Sequence, residues 1–63
     1  MKFDNAFLTK AGKVGMQFFH KGKLLSVYAD KNGILHFSED ATDEEKASLT
    51  VQYARRKTWY KKA

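Results

Sequence analysis

Two histidines, His20 and His36, are the side chains of this 63-residue chain best suited to exchange protons near neutral pH. Acid–base catalysis would need one of them beside a positioned partner in a cleft. The chain has no cysteine, no serine stands in a nucleophile motif, and so small a domain has room for little cleft. No enzyme is expected, and no catalytic residue is assigned; His20 flanks a turn signal and reads as solvated. The acidic run Glu39, Asp40, Asp43, Glu44 and Glu45 raises the question of a divalent cation. It lacks the alternating Asp/Asn spacing and the glycine of a calcium loop, and carboxylates at the start of a helix are accounted for by the helix dipole. No metal and no cofactor are expected.

Binding chemistry has more to work with. The stretch "RRKTWYKK", residues 55 to 62, holds five positive charges and two aromatic rings. Three readings stand open for it: the solvated positive close of a helix, a nucleic-acid grip, or a protein hot spot built on Arg55, Arg56 and Trp59. The whole chain carries twelve Lys/Arg against seven Asp/Glu, a net +5, with an isoelectric point near 9.6. Such a surface attracts polyanions: nucleic acid, an anionic membrane or an acidic protein.

The elements that must position these groups follow from a change of period. Apolar residues alternate up to about Ser38, and a helical pattern takes over from about Asp43. Residues 14–20, 24–30 and 34–38 are rich in strand formers and are separated by Lys21-Gly22 and Lys31-Asn32-Gly33. They read as an antiparallel meander. A two-residue Lys21-Gly22 loop sets Phe18 opposite Leu25, Met16 opposite Val27 and Val14 opposite Ala29. A two-residue second loop would pair Val27 with Ser38. A three-residue loop with Gly33 in the left-handed region instead pairs Val27 with Phe37 and Ala29 with Leu35, which keeps one face apolar. The expected core face is Val14, Met16, Phe18, Leu25, Val27, Ala29, Leu35 and Phe37. Gln17, Phe19, Leu24, Ser26, Tyr28, Ile34 and His36 point the other way.

Thr42 followed by Glu45 has the form of a capping box and predicts a helix over residues 43–60, acidic at its start and basic at its end. A helical wheel puts Ala47, Val51, Ala54 and Thr58 on the stripe facing the sheet, with Thr50 beside it and Leu49, Tyr53 and Tyr60 flanking. Trp59 falls on the polar side with Gln52 and Arg55. The expected class is α+β: a single domain, residues 1–63, with a three- or four-stranded antiparallel meander and one C-terminal helix packed on one sheet face. Residues 1–12 are read as an added strand, although Phe3 and Phe7 also fit a helical turn. A chain this short buries only about 60% of the surface its unfolded form exposes, and without cysteine it has no disulfide to compensate. No apolar run approaches the ~18 residues of a membrane span and Met1 to Asp4 open no secretory signal, so a cytoplasmic, non-membrane protein is expected.

The candidate binding residues are those of the outer sheet face and its basic surroundings: Gln17, Phe19, Lys21, Lys23, Leu24, Ser26, Tyr28, Lys31 and His36, with Arg55, Arg56 and Trp59 from the tail. Rings and aliphatic groups would meet bases, and lysines would hold phosphates. The competing expectation is that Phe3, Phe7 and Leu8 fold over this face and turn it into a second small core, because an uncovered apolar face is costly in water.

The run from Gly22-Lys23 through Ser26 and Tyr28 to Asp30-Lys31-Asn32-Gly33, followed by Ser38-Glu39-Asp40-Ala41 and a Lys/Arg-rich helix, is similar to the small basic archaeal chromatin proteins of seven-kilodalton size. The similarity covers residues 13–57 and rests on turn signals. It implies that the exposed face of a triple-stranded sheet binds the DNA minor groove, with Phe19, Leu24, Ser26 and Tyr28 at the contact positions. Lys21 stands where that family has a second apolar wedge, so kinking of the DNA is not carried over. The expectation taken forward is a small basic binding module for nucleic acid, duplex DNA first, of low specificity. The alternative is a protein–protein effector, an inhibitor or adaptor, that sets the same aromatics and the basic helix against an acidic partner. Either would be a monomer or a weak homodimer.

Overall fold

A computed structural model describes the backbone of residues 1–62 and the side chains of residues 1–56. Four strands, β1 (Lys2–Leu8), β2 (Val14–His20), β3 (Lys23–Ala29) and β4 (Leu35–Phe37), form one antiparallel sheet in the order β1-β2-β3-β4. The helix α1 (Asp43–Lys62) packs against it, chiefly on β3. The class is α+β, and residues 1–12 do supply the added strand. Among the described residues no helix is long and apolar enough to cross a membrane.

The turns fix the register. Lys21 and Gly22 both adopt positive φ, 52° and 79°, the pairing a two-residue turn needs to match the twist of its strands. Phe18 accordingly pairs with Leu25 and Met16 with Val27. At the next turn the Gly33 N–H donates to the Asp30 carbonyl and the Asp30 N–H to the Ile34 carbonyl, each at 2.9 Å. Gly33 sits at φ 82°, and the loop is the three-residue one, so Val27 pairs with Phe37 and Ala29 with Leu35. The bounds of two strands shift from expectation: β3 runs Lys23–Ala29 instead of 24–30, and β4 Leu35–Phe37 instead of 34–38. β3 begins at Lys23, which pairs with His20. β4 is cut to three residues because Ile34 closes the turn, while at the other end the Ser26 N–H is taken by the Ser38 hydroxyl (3.3 Å) rather than by a ladder carbonyl.

Six of the eight expected core-face residues are buried: Val14, Met16, Phe18, Leu25, Val27 and Ala29. Leu35 and Phe37 pack half-buried against them. The helix closes this core with a different stripe from the one the wheel indicates. Leu49 and Tyr53 are buried, whereas Ala47 and Ala54 are exposed and Val51 is 55% exposed. Size decides the outcome: burying a leucine and a tyrosine removes far more apolar surface from water than burying two alanines, at about 25 cal/mol per Å². The Tyr53 hydroxyl also donates to the Val14 carbonyl at 2.8 Å, so its one polar atom enters the core paired. Thr58, Trp59 and Tyr60, also placed by the wheel, lie outside the residues whose side chains are described.

β1 carries a bulge. Phe3 pairs with Phe18 and Asn5 with Gln17, which leaves Asp4 without a partner. An extra residue reverses the alternation along the strand. Phe3 and Phe7, four apart, therefore face opposite sides of the sheet. Phe3 packs edge-on against Phe18 at 5.6 Å, and Phe7 lies over Gly15 on the far side, where a β-carbon would come within 2.4 Å of its ring. Only glycine leaves that ring its seat.

Candidate functional site

Because β1 extends the sheet edge instead of folding over it, the face opposite α1 stays uncovered. Phe19 is 48% exposed, Leu24 44% and Tyr28 39%. The ladder arranges this face in three rows running across the strands. Lys2, Phe19 and Leu24 form one; Asn5, Gln17 and Ser26 the middle one; Phe7, Gly15, Tyr28 and His36 the third. Apolar and aromatic rows thus flank a central row of amides and a hydroxyl, with rows roughly 7 Å apart and four strands spanning roughly 14 Å. His36 stacks on Tyr28, with ring centroids 5.1 Å apart and planes 15° from parallel. Its Nε2 lies 2.9 Å from Asp30 Oδ2. The other Asp30 oxygen accepts from the Asn32 and Ile34 N–H groups. The His36 contact and then these backbone donors hold the Asp30 carboxyl below its ordinary range. One turn aspartate thereby fixes both the β3–β4 loop and the orientation of an aromatic pair.

The structure gathers Gln17, Phe19, Leu24, Ser26, Tyr28 and His36 on this face, with Lys21 at the β2–β3 turn and Lys31 at the β3–β4 turn, at opposite ends of the sheet. Three other candidates belong elsewhere. Lys23 shares the helix side with its register partner His20. Its Nζ bonds Glu45 Oε1 at 2.9 Å and the Asp40 carbonyl at 3.0 Å, so it ties the sheet to the helix start rather than rimming the outer face. Arg56 lies over the rings of Phe3 and Phe18, 5.4 and 5.6 Å from their centroids, and donates to Gln52. Arg55 is exposed on the same side. Trp59 lies outside the described side chains. Three members of the outer face, Lys2, Asn5 and Phe7, were not legible in the sequence, because the bulge at Asp4 hides which residues of β1 point outward.

On the helix side His20 is half-buried, not solvated, with Nε2 3.7 Å from Glu45 Oε2. Glu45 is the one buried charged residue among those described. Its carboxylate accepts from the Thr42 N–H at 2.9 Å while the Glu45 N–H donates to the Thr42 hydroxyl at 3.2 Å, which completes the capping box. The Thr42 N–H first, and Lys23 after it, lower the Glu45 pKa from 4.5 to about 2. The unfolded chain therefore binds more protons than the native one between those values. The stabilisation is complete above pH 4.5 and is lost as pH falls through about 2. Urea midpoints measured at pH 5 and pH 3 should drop more for the native chain than for Glu45→Gln; equal drops would remove Glu45 from the account.

Charge is divided as unevenly as the faces. Residues 1–38 hold six lysines against two aspartates, and residues 39–63 six basic against five acidic residues. Lys23 is the only lysine in an ion pair among the described residues. The outer face accordingly lies within the basic half of the chain. Among the described residues no group of three or more acidic, histidine or cysteine side chains is placed to hold a metal ion.

Comparisons with protein-family models, with curated proteins and with solved structures find no match to this chain. What it can do must be read from its own surface. That surface has rings and aliphatic side chains for apolar contact, amides and a hydroxyl between them for hydrogen bonds, and lysines at either end for anions.

Proposed function

We propose that the chain is a small non-enzymatic binding module that takes nucleic acid, duplex DNA first, on its outer sheet face with low sequence specificity. The observation that carries this reading is the uncovered face itself: exposed Phe19, Leu24 and Tyr28 around a polar central row, within the basic half of the sequence. Exposed rings in so small a domain are costly unless a partner uses them. Lys2, Lys21 and Lys31 supply phosphate contacts, and the side chains between them meet sugars and base edges. No pair of side chains on the face forms a bidentate base-reading set, and so affinity outweighs specificity. Arg55 and Arg56 contribute long-range attraction from the far side.

Titrating a generic duplex at two salt concentrations tests the reading. With three to five phosphates contacted, log affinity should fall against log salt with a slope of roughly −3 to −4.5. Absence of binding at low salt would sink it. The second reading, a protein–protein effector, draws on one feature: Phe19 and Leu24 are cross-strand neighbours, an apolar pair of the kind a protein partner buries. A light-scattering mass of twice 7.3 kDa would turn that reading towards a second copy of the chain.

A further inference from the structure

At the end of the outer face, the β1–β2 turn and the β3–β4 turn stand side by side and border an open slot of about 410 Å³. Its lining includes Thr9, Lys10 and Ala11 from one turn and Tyr28, Ala29 and Lys31 from the other side. That volume lies at the small end of the roughly 300–1,000 Å³ typical of ligand sites. Both walls are stiff. The Thr9 N–H donates to the Lys13 carbonyl (2.8 Å), the Gly12 N–H to the Thr9 carbonyl (2.9 Å) and the Lys13 N–H to the Thr9 hydroxyl (3.3 Å), while Asp30 braces the opposite turn. Tyr28 is held in place by the ring of His36 stacked on it. Asp30 is the one acidic residue in the lining, and its two oxygens are already bonded to its own turn and to His36. Neither Lys10 nor Lys31 makes an ion pair among the described residues. The slot therefore offers the Tyr28 ring, the Ala11 methyl and strand backbone, with Lys10 on one side and Lys31 on the other.

We infer that this slot holds one unpaired nucleotide, its base packed against Tyr28 and its phosphate held by Lys10 and Lys31. A duplex laid along the outer face would thus be favoured where it ends in a frayed or overhanging nucleotide. The inference rests on the nucleic-acid reading of that face and adds a position to it. A flat base needs one apolar or aromatic wall, which Tyr28 supplies, and its phosphate needs cations within reach of the same opening. The paired rows of the open face give a duplex no such recess.

The test is an amide-shift titration of the full chain by NMR with three probes: adenosine 5′-monophosphate, inorganic phosphate and a blunt duplex. The mononucleotide should move the amides of Lys10, Ala11, Ala29 and Asn32, and Lys10→Ala with Lys31→Ala should weaken that response at least about tenfold. Inorganic phosphate should give smaller shifts confined to the two lysines. Equal shifts from phosphate and mononucleotide would overturn the base contact, and no localised shift from the mononucleotide would overturn the slot. The blunt duplex reports separately at Phe19, Leu24 and Ser26. If those signals move while the slot stays silent, the face survives and this inference fails. If they stay still, the nucleic-acid reading fails.

Discussion

Replacing Phe18 with alanine is expected to leave the chain mostly unfolded at 25 °C. Phe18 is wholly buried at the centre of β2, with Phe3 edge-on at 5.6 Å, Leu25 opposite it across the ladder and Arg56 over its ring. Truncating a buried phenylalanine costs roughly 3–5 kcal/mol, from lost transfer energy and from the cavity left behind. A core in a domain of this size rarely supplies more than about 3–5 kcal/mol in all. The two magnitudes meet, so the native state loses its margin. Far-UV circular dichroism against urea should show no cooperative transition for Phe18→Ala. Phe18→Leu, which keeps most of the volume, should retain a transition at a lower midpoint. A Phe18→Ala chain that melts within a few degrees of the native one would mean that the sheet is held by something other than this core.

The elements whose signals are local were legible in the sequence. Lys21-Gly22 and Gly33 specify their turns through backbone angles that few other residues adopt cheaply, and each turn in its way dictates the pairing of every residue behind it. Thr42 and Glu45 bond each other three residues apart, so the helix start is written in a tetrapeptide. The buried stripe of α1 was not legible in the same way. Its apolar residues do not gather on one side, and the facing direction is settled by distant partners: the Val14 carbonyl for Tyr53, and Lys23 for Glu45. A wheel drawn from the helix alone contains neither. The facing of β1 was hidden for a related reason. The bulge at Asp4 costs the strand one step of alternation, and nothing in Lys2 to Leu8 marks where that step falls.

The candidate site divides along the same line. Register assigns seven side chains to the outer face, and six of them lie there, because period two is rigid once the turns are known; Ile34 instead closes the β3–β4 turn. Lysines are harder. Lys21, Lys23 and Lys31 look alike beside their turns in the sequence, yet Lys23 lies two positions from Leu25 and so shares the core side of β3. There Glu45, 22 residues away, takes its charge. Arg56 likewise reads in the sequence as a tail residue open to a partner, while its guanidinium lies over two aromatic rings at the edge of the core. Charge counted along a chain measures attraction, and only the sheet's two sides tell which charges remain for a partner.

Phe18 and Phe19 are neighbours in sequence, and the second should behave as the inverse of the first. Phe19→Thr keeps a strand-favouring residue at a position 48% exposed, bordered by Lys2 and Leu24 on the outer face. Its stability should change by no more than about 1 kcal/mol. Its affinity for nucleic acid should fall as well: burying the exposed half of the ring against sugars and base edges is worth about 1 kcal/mol, which corresponds to a loss of roughly 5-fold. Phosphate contacts are untouched, so the salt slope should be that of the native chain, whereas Lys21→Ala should make the slope shallower by about 1. Fluorescence anisotropy with a labelled duplex at two salt concentrations reads both quantities from one set of samples. A Phe19→Thr chain that binds as tightly as the native one would move the interface off the sheet and back to the lysines and arginines. A parallel loss of affinity and slope would mean that Phe19 positions a cation rather than meeting a base. The outcome in which affinity falls while slope and fold remain belongs to a ring that touches the partner itself.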